Sequence, residues 1–395
     1  MRGDCEVVHI AVIGLRGIPD VMGGIESHCA HLLPRLVGAA PLGQLKLTVL
    51  GRSRYIPHKA RFQGVEQIAL WAPRHPALET IVHTVLALIY ARFVLRVDCV
   101  HLHGIGPGLT SPLARLFGLS LLFTHHGEDY RRQKWGRVSR LALRLGEVLA
   151  VTFAHSVIAV SPSIAKQLKR RFRRKAGRIA YVPNGVPPVD ADTAAKPPAV
   201  LDSVAPSRFL VTVGRLVPEK GQDLLIEAFR QSGLAELKPP YKLVVVGATD
   251  HESDYATRLL AQGGADVVFA GRLTRAEVMA LNRKAALFVL PSYHEGLSIA
   301  ALEAVRAGTP VLLSDITANR DIGLPEHHYF ASGSAQALAD KLKEPPSALA
   351  PPKDFGLDVF DWDLIAHRTL DQFASINRRN APLLSLTAAK GNIRV

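Results

Sequence analysis

Short apolar runs return along this chain at intervals filled by helical periodicity, and the alternation stops once and then restarts. In the first half the runs fall at residues 8–13, 45–50, 99–102, 119–123 and 156–160. They are apolar almost throughout, as parallel strands covered on both faces must be. Between the first two, residues 25–36 put Ile25, Cys29, Leu32, Leu33 and Leu36 on one helical face. The break is residues 187–206, rich in Pro, Ala and Asp and without a sustained period, which read as a linker. Strand-like runs resume at 209–213, 242–246, 266–269, 287–290 and 311–313, and 361–375 reads as an amphipathic helix. The expected organisation is a Rossmann-like domain over 1–186, the linker 187–206 and a second Rossmann-like domain over 207–360. A helix over 361–376 is expected to cross back to the first domain, ahead of a loosely ordered tail, 377–395. The fold class is therefore α/β: two doubly wound domains facing across a cleft, with ligands at the carboxyl ends of the strands.

Composition narrows the function. At 395 residues the chain exceeds one ordinary core, and 48% hydrophobic residues exclude a disordered protein. Cys5, Cys29 and Cys99 have neither a disulfide framework's number nor a metal site's spacing. With no signal peptide visible, a cytoplasmic location is expected. The net charge of +14 favours anionic partners. The apolar stretches 81–94 and 141–160 are interrupted by His83 and Arg92, and by Arg144, Glu147 and His155. Neither is expected to span a bilayer, so any membrane contact would be peripheral, on the inner face of the plasma membrane. The densest charge, 166–175, is either a solvated helix face or a patch for an anionic membrane surface, and Arg131, Arg132, Lys134, Arg137 and Arg140 add to it. Nucleic acid is not expected as a partner, because the aromatic spacing of its binders is missing.

Three segments follow predicted strands in the second half. Gly214-Arg215-Leu216-Val217-Pro218-Glu219-Lys220-Gly221 brings two cations to a helix start, where amides and dipole also favour a pyrophosphate; the plain alternative is a solvated basic loop. Pro291-Ser292-Tyr293-His294-Glu295-Gly296-Leu297-Ser298 runs into a helix over 299–307 that carries Glu303. Eight residues of helix separate two carboxylates by about 12 Å. That is too far for the close pair of a retaining glycosidase. It suits two hydroxyl-binding groups on a long ligand, or else two helix-capping acids. The third segment, Phe269-Ala270-Gly271-Arg272-Leu273, ends a strand where backbone could meet a base.

With Leu302-Glu303-Ala304 and Gly308-Thr309-Pro310-Val311 added, the second half resembles glycosyltransferase family four, retaining nucleotide-sugar enzymes of GT-B fold. The resemblance implies donor binding by Arg215, Lys220, Gly271, Glu295, Gly296, Leu297 and Glu303. Arg215 and Lys220 would hold the diphosphate, Glu303 the ribose hydroxyls and Glu295 the transferred sugar. Ser298 departs from the proline of many relatives, a change expected to alter loop stiffness more than chemistry.

In the first half, Gly14-Leu15-Arg16-Gly17 and Gly23-Gly24-Ile25-Glu26 open a helix but lack the dinucleotide fingerprint. This segment, Thr124-His125-His126-Gly127-Glu128-Asp129-Tyr130 and Lys134-Trp135-Gly136 resemble the bacterial rhamnosyltransferase- and galactosyltransferase-like branch of polysaccharide biosynthesis. That branch commonly has an apolar residue at position 128 and tryptophan at 130. The resemblance implies that Gly23 and Gly24 meet the donor and that His126 lies near the transferred sugar. Arg16, Glu128 and Asp129 are acceptor candidates, and Asp129 would position or deprotonate the acceptor hydroxyl. His101, His103 and His125 read as structural.

The expected partners are a UDP, GDP or dTDP sugar and an acceptor glycan, lipid-linked in many such pathways. No cofactor and no metal is expected: the two cations would replace one, and Asp361-Trp362-Asp363 reads as a helix cap rather than an Asp-x-Asp metal motif. Retention without a nucleophile implies front-face transfer, with Arg215, Lys220, Glu295 and His126 as the catalytic set. The competing readings are an epimerase, a phosphorylase, or an inactive relative that only binds.

Overall fold

The structure, a computed structural model, describes residues 7–132, 135–186, 198–249 and 253–376. Lys134, most of the expected linker (187–197) and the expected tail (377–395) lie outside the described residues. The chain forms two units, Met1–Gly185 with Val359–Val395, and Val186–Asp358.

The first unit is built on an eight-stranded sheet. Its strands are β1 (Val8–Ile13), β2 (Leu45–Arg52), β3 (Lys59–Phe62), β4 (Val65–Leu70), β5 (Cys99–His103), β6 (Ser120–His125), β7 (Ser156–Ala159) and β8 (Ile179–Tyr181). Their order is β3-β4-β2-β1-β5-β6-β7-β8. All pairs are parallel except the β3–β4 hairpin. Five helices connect them: α1 (Gly24–Ala39), α2 (Pro76–Ile89), α3 (Ser111–Leu116), α4 (Arg137–Phe153) and α5 (Pro162–Arg171). Handedness assigns the helices to faces. α1 links β1 to β2 in one direction across the sheet, whereas α3, α4 and α5 step the opposite way from β5 to β8. Right-handed crossovers therefore place α1 on one face and α3, α4 and α5 on the other, where α2 joins them.

The last helix of the chain, Trp362–Ile376, packs beside α1 in the first unit. Asp361 caps it through Oδ1, which accepts from the amides of Asp363 (2.8 Å) and Leu364 (3.0 Å). The buried indole of Trp362 lies so close to Gly185 that a β-carbon there would sit 2.5 Å from the ring.

One expectation is corrected. The helical run Leu78–Leu95, which continues α2 through a π-helical turn at Tyr90–Leu95, is long and apolar enough by length and composition to cross a membrane, with mean hydropathy 1.6. His83 does not interrupt it: the ring is fully buried and bonds the Gly51 carbonyl at 2.9 Å. Only a third of this run is buried within the unit.

The second unit has a parallel six-stranded sheet of β9 (Phe209–Val213), β10 (Lys242–Val246), β11 (Val267–Gly271), β12 (Leu287–Leu290), β13 (Val311–Ser314) and β14 (Tyr329–Phe330). The order is β11-β10-β9-β12-β13-β14. Its helices are α6 (Gln222–Gln231), α7 (Asp254–Leu260), α8 (Arg275–Lys284), α9 (Ile299–Arg306), α10 (Thr317–Arg320) and α11 (Ala335–Leu342), so the terminal helix is α12. The described part of the expected linker, 198–206, is not a free connector. Ala199–Ser203 forms a 3-10 turn, and Val204 is buried.

Candidate functional site

In the second unit, β9 and β12 are neighbours in the sheet, so the loops leaving their carboxyl ends meet. The first loop runs from Gly214 through a 3-10 turn, Pro218–Lys220, into α6. Gly221, the residue before α6, has φ +64°, and a β-carbon there would lie 2.5 Å from the Pro291 carbonyl oxygen. Glycine therefore lets the two loops touch. The Tyr293 amide donates to the Glu219 carbonyl at 2.9 Å, joining them a second time.

That junction sets the central contact. The Lys220 side chain passes over Gly214 and its Nζ donates to Glu295 Oε1 at 2.5 Å, while the Ser292 hydroxyl donates to the same oxygen at 2.7 Å. Burial pushes the Glu295 carboxyl up, but the charge and hydrogen bond of Lys220, with help from Ser292, hold it below the usual carboxylate range. Arg215 stands at the loop's start. Its carbonyl accepts from Gln222 at 2.8 Å, and its guanidinium lies 3.9 Å from buried Glu219. Gly296 and Leu297 lead into α9, whose N-cap is Ser298, accepting from the Ala301 amide at 3.3 Å. The residue that stands in place of proline is thus a cap, and it satisfies a helix donor that proline would leave open.

Glu303 lies on α9 with its carboxylate 3.0 Å from Arg275 Nη2 on neighbouring α8. Arg275 escaped the sequence reading, yet a signal was there. It lies within the Thr274–Glu277 capping box, in the first turn of a helix, where the dipole disfavours a cation. Gly271 ends β11 at φ +65°, and its carbonyl accepts from the Gly247 amide at 2.8 Å.

The first unit holds the other predicted residues. His126 follows β6, and its Nε2 is 2.9 Å from His103 Nδ1 on β5. The two rings stack at 5.2 Å, and His28 meets His126 edge-on at 4.8 Å. His28 is tied to Asn184 (2.9 Å) and His101 to Thr124 (2.7 Å). Burial, then mutual repulsion, lowers His103 and His126 well below the ordinary imidazole value. Burial also lowers His28 to about 4 and His101 to about 3. Nitrogens of His28, His103 and His126 lie within 4.8 Å of one another, the arrangement among the described residues that could receive a metal. The 2.9 Å between His103 and His126 is a hydrogen bond, shorter than the roughly 3.3 Å that two imidazoles keep on one tetrahedral zinc. As it stands, the cluster is a chain of neutral rings. His125 points elsewhere, bonding buried Glu147 at 3.0 Å.

The acceptor candidates are all engaged. Arg16 is bound to Glu26 through its side chain (3.0 Å) and its amide (3.1 Å), and stacks on Tyr55. Gly23 makes room for that pair: a β-carbon would lie 1.9 Å from Glu26 Oε2. Gly24, the first residue of α1, faces open space. Glu128 accepts from the Tyr130 hydroxyl, from Gln167 at 2.6 Å and from Arg131 at 2.7 Å. Burial raises its carboxyl, and these partners together hold it low. Asp129 pairs with Arg132 at 2.6 Å.

Comparison with known proteins agrees across both units. A model of glycosyltransferase family 4 matches residues 22–189, and one of the glycosyl transferases group 1 matches 198–345. The GDP-mannose:cellobiosyl-diphosphopolyprenol alpha-mannosyltransferase of Komagataeibacter xylinus is 25% identical, covering 98% of each chain. Glycogen synthase of Mycobacterium tuberculosis is 28% identical over 72% of this chain and 70% of its own. Among solved structures, sucrose-phosphate synthase from Thermosynechococcus elongatus superposes with TM-score 0.75 at 22% identity, covering 97% of this chain and all of that one. Anabaena HepE in complex with UDP and glucose follows with TM-score 0.70 at 18% identity, covering 93% of this chain and all of that one.

Proposed function

The chain belongs to glycosyltransferase family four, with the two doubly wound domains of the GT-B fold, and from that premise we propose how it works. It transfers a hexose or deoxyhexose from a nucleoside-diphosphate sugar to a saccharide or lipid-linked acceptor, retaining the anomeric configuration and using no metal. The observation that carries this reading is the Lys220–Glu295 pair at the junction of the β9–α6 and β12–α9 loops. A lysine held against a carboxylate in the free protein can turn to a diphosphate, leaving the carboxylate to accept from sugar hydroxyls. Glu303, paired with Arg275, is the ribose-binding candidate, and the amides at the start of α9 add donors for the phosphates.

In the proposed step the bond from the anomeric carbon to the diphosphate oxygen breaks and one to the acceptor oxygen forms on the same face. The acceptor proton passes to the departing diphosphate, whose charge Arg215 and Lys220 stabilise. His126, neutral and fixed by His103, contributes a hydrogen bond rather than a charge. Relatives support the substrate class: one is named for GDP-mannose and a diphosphopolyprenol acceptor, and a structural neighbour is described with UDP and glucose. A role in surface or exopolysaccharide synthesis in the cytoplasm fits the same pattern.

The test is a thermal-shift and turnover screen against UDP-, GDP- and dTDP-sugars, with and without EDTA. Stabilisation by one nucleotide class and EDTA-insensitive turnover are expected. EDTA-sensitive turnover would overturn the metal-free mechanism. No response to any donor would favour a binding relative without activity.

A further inference from the structure

The face of the first sheet that carries α2, α3, α4 and α5 departs from an ordinary solvated surface in two ways. It exposes apolar side chains in register. On α4, Val138, Leu141 and Leu145 follow i, i+3, i+7 spacing, and Val138 and Leu141 are 83% and 69% exposed. Glu147, Ala150 and Val151 are buried on the inward side of the same helix. Across the neighbouring helices, Leu116 is 80% exposed, and Phe93, also exposed, meets Phe117 at 5.4 Å. Phe93 belongs to the apolar run Leu78–Leu95, in which Leu78, Leu86, Ile89 and Val94 are exposed as well.

The second departure is charge. Arg137, Arg140 and Arg144 form a stripe alongside the apolar one on α4, and all three are exposed. Next to α4, α5 and the turn after it carry Lys166, Lys169, Arg170 and Arg173, which line a groove of about 560 Å³ with Tyr181. Against these cations, the four helices contain two carboxylates, Glu79 and Glu147, and both are buried in ion pairs, with Arg52 (3.2 Å) and with Arg171. The helices of this face thus expose apolar and cationic side chains with no exposed carboxylate among them, and the acids of the loop before α4, Glu128 and Asp129, are themselves paired with Arg131 and Arg132.

We propose that this face docks on an anionic bilayer. Phe93, Leu116, Val138, Leu141 and Leu145 would enter the boundary between headgroups and acyl chains, and the arginines and lysines of α4 and α5 would lie among the lipid phosphates. Charge decides against the other occupants. A two-fold contact between copies would press these cations against themselves without a carboxylate to meet them. A nucleic acid would satisfy the charge but leave the apolar stripe without a partner. The inference goes beyond the transfer reading and does not depend on it, since membrane docking and donor chemistry can fail separately.

The experiment is co-sedimentation of the full chain with phosphatidylglycerol–phosphatidylcholine vesicles and with phosphatidylcholine vesicles, at physiological and at high salt. Donor hydrolysis by the soluble protein is followed in parallel. The wild type should bind the anionic vesicles, more weakly but detectably at high salt, because the apolar contacts outlast screening. Arg137→Gln with Arg140→Gln and Arg144→Gln should weaken partitioning on the order of a hundredfold, from about a fivefold loss per basic residue. Leu141→Ser with Leu145→Ser should abolish the high-salt fraction. Both variants change exposed residues only, so folding and donor hydrolysis should be unaffected. Equal binding to both vesicles, or wild-type binding by either variant, would overturn the proposal. So would a concentration-dependent dimer broken by the leucine changes, or retention by nucleic acid in place of vesicles.

Discussion

Replacing Lys220 by alanine strips Glu295 of the cation 2.5 Å away and leaves its carboxylate with the Ser292 hydroxyl. The side chains are 19% and 10% exposed, so this pair is shielded more than a surface ion pair, whose removal costs at most about 1 kcal/mol. Breaking a buried pair costs about 3–5 kcal/mol, because the surviving charge loses its compensation. With Ser292 still donating, the expected loss is about 3 kcal/mol, read from the second unit's transition in urea. The pH dependence carries the sign. In the wild type the Glu295 carboxyl is held low, so the pair's stabilisation is present above the ordinary carboxylate value and lost as pH falls through the folded one. In Lys220→Ala, burial is opposed only by the Ser292 hydrogen bond and by His294, and the carboxyl rises. The deficit should therefore be largest at neutral pH and shrink on acidification as Glu295 takes up a proton. Adding Glu295→Gln to Lys220→Ala should recover most of the lost stability, since the amide needs no counter-charge. Turnover should not recover: both the single and the double variant should lose on the order of 10²–10³ in kcat, the usual cost of removing a donor that stabilises developing charge. A single variant that unfolds within about 0.5 kcal/mol of the wild type, or whose deficit ignores pH, would refute the reasoning about the pair. Recovered turnover in the double variant would assign Lys220 a structural role alone.

Glu303→Ala should weaken donor binding by roughly tenfold to a hundredfold in calorimetry, the range for a hydrogen bond to a charged group; unchanged affinity would remove Glu303 from the donor site. Gly221→Ala should destabilise the second unit by about 1–3 kcal/mol, because φ +64° and the Pro291 carbonyl at 2.5 Å both oppose a β-carbon. A thermal transition as high as the wild type's would show that the two loops separate without cost. The buried histidines predict acid sensitivity. His28 and His83 are lowered to about 4 and His101 to about 3, in each case mainly by burial. Their lowered values mean full stability above about pH 6.5, lost as pH falls towards 4, where the unfolded chain binds up to three more protons at these three sites alone. Stability should then fall by roughly 4 kcal/mol per pH unit around pH 5. Circular-dichroism melts that barely move between pH 7 and 5 would contradict this.

The parts of the fold legible in the sequence are those whose signal is local. β1, β9, β10 and β12 occupy the residues that their apolar runs mark. The β3–β4 hairpin was not legible: β3, at the sheet edge, reads Lys-Ala-Arg-Phe, and β4 beside it alternates buried and half-buried positions, with polar Gln67 among the buried ones. β8 and β14 have three and two residues, too few to show a period. Neighbours, more than their own residues, hold such segments in the sheet.

The same distinction separates the candidate residues of the second unit from those of the first. Diphosphate recognition asks for cations, glycines and a helix start close together, and Gly214 to Gly221 supplies all three within one loop. The contact completing it, Lys220 to Glu295, crosses 75 residues, but the two loops leave adjacent strands, so topology supplies what sequence distance hides. On the first unit the partners that decide each residue's role are remote in sequence: Asn184 for His28 across 156 residues, Gln167 for Glu128 across 39. Arg16, Glu128 and Asp129 each spend their charge on a neighbour. An acceptor that used them would have to displace Glu26, the Tyr130–Gln167–Arg131 set or Arg132 first, against charge-assisted contacts. That cost favours acceptor recognition through groups with spare hydrogen-bonding capacity. Glu128 and Tyr130, where the chain departs from the branch it resembles, bond each other. Exchanging Glu128 for an apolar residue should therefore disturb the packing of α5 against this loop, through Gln167, before it alters acceptor choice.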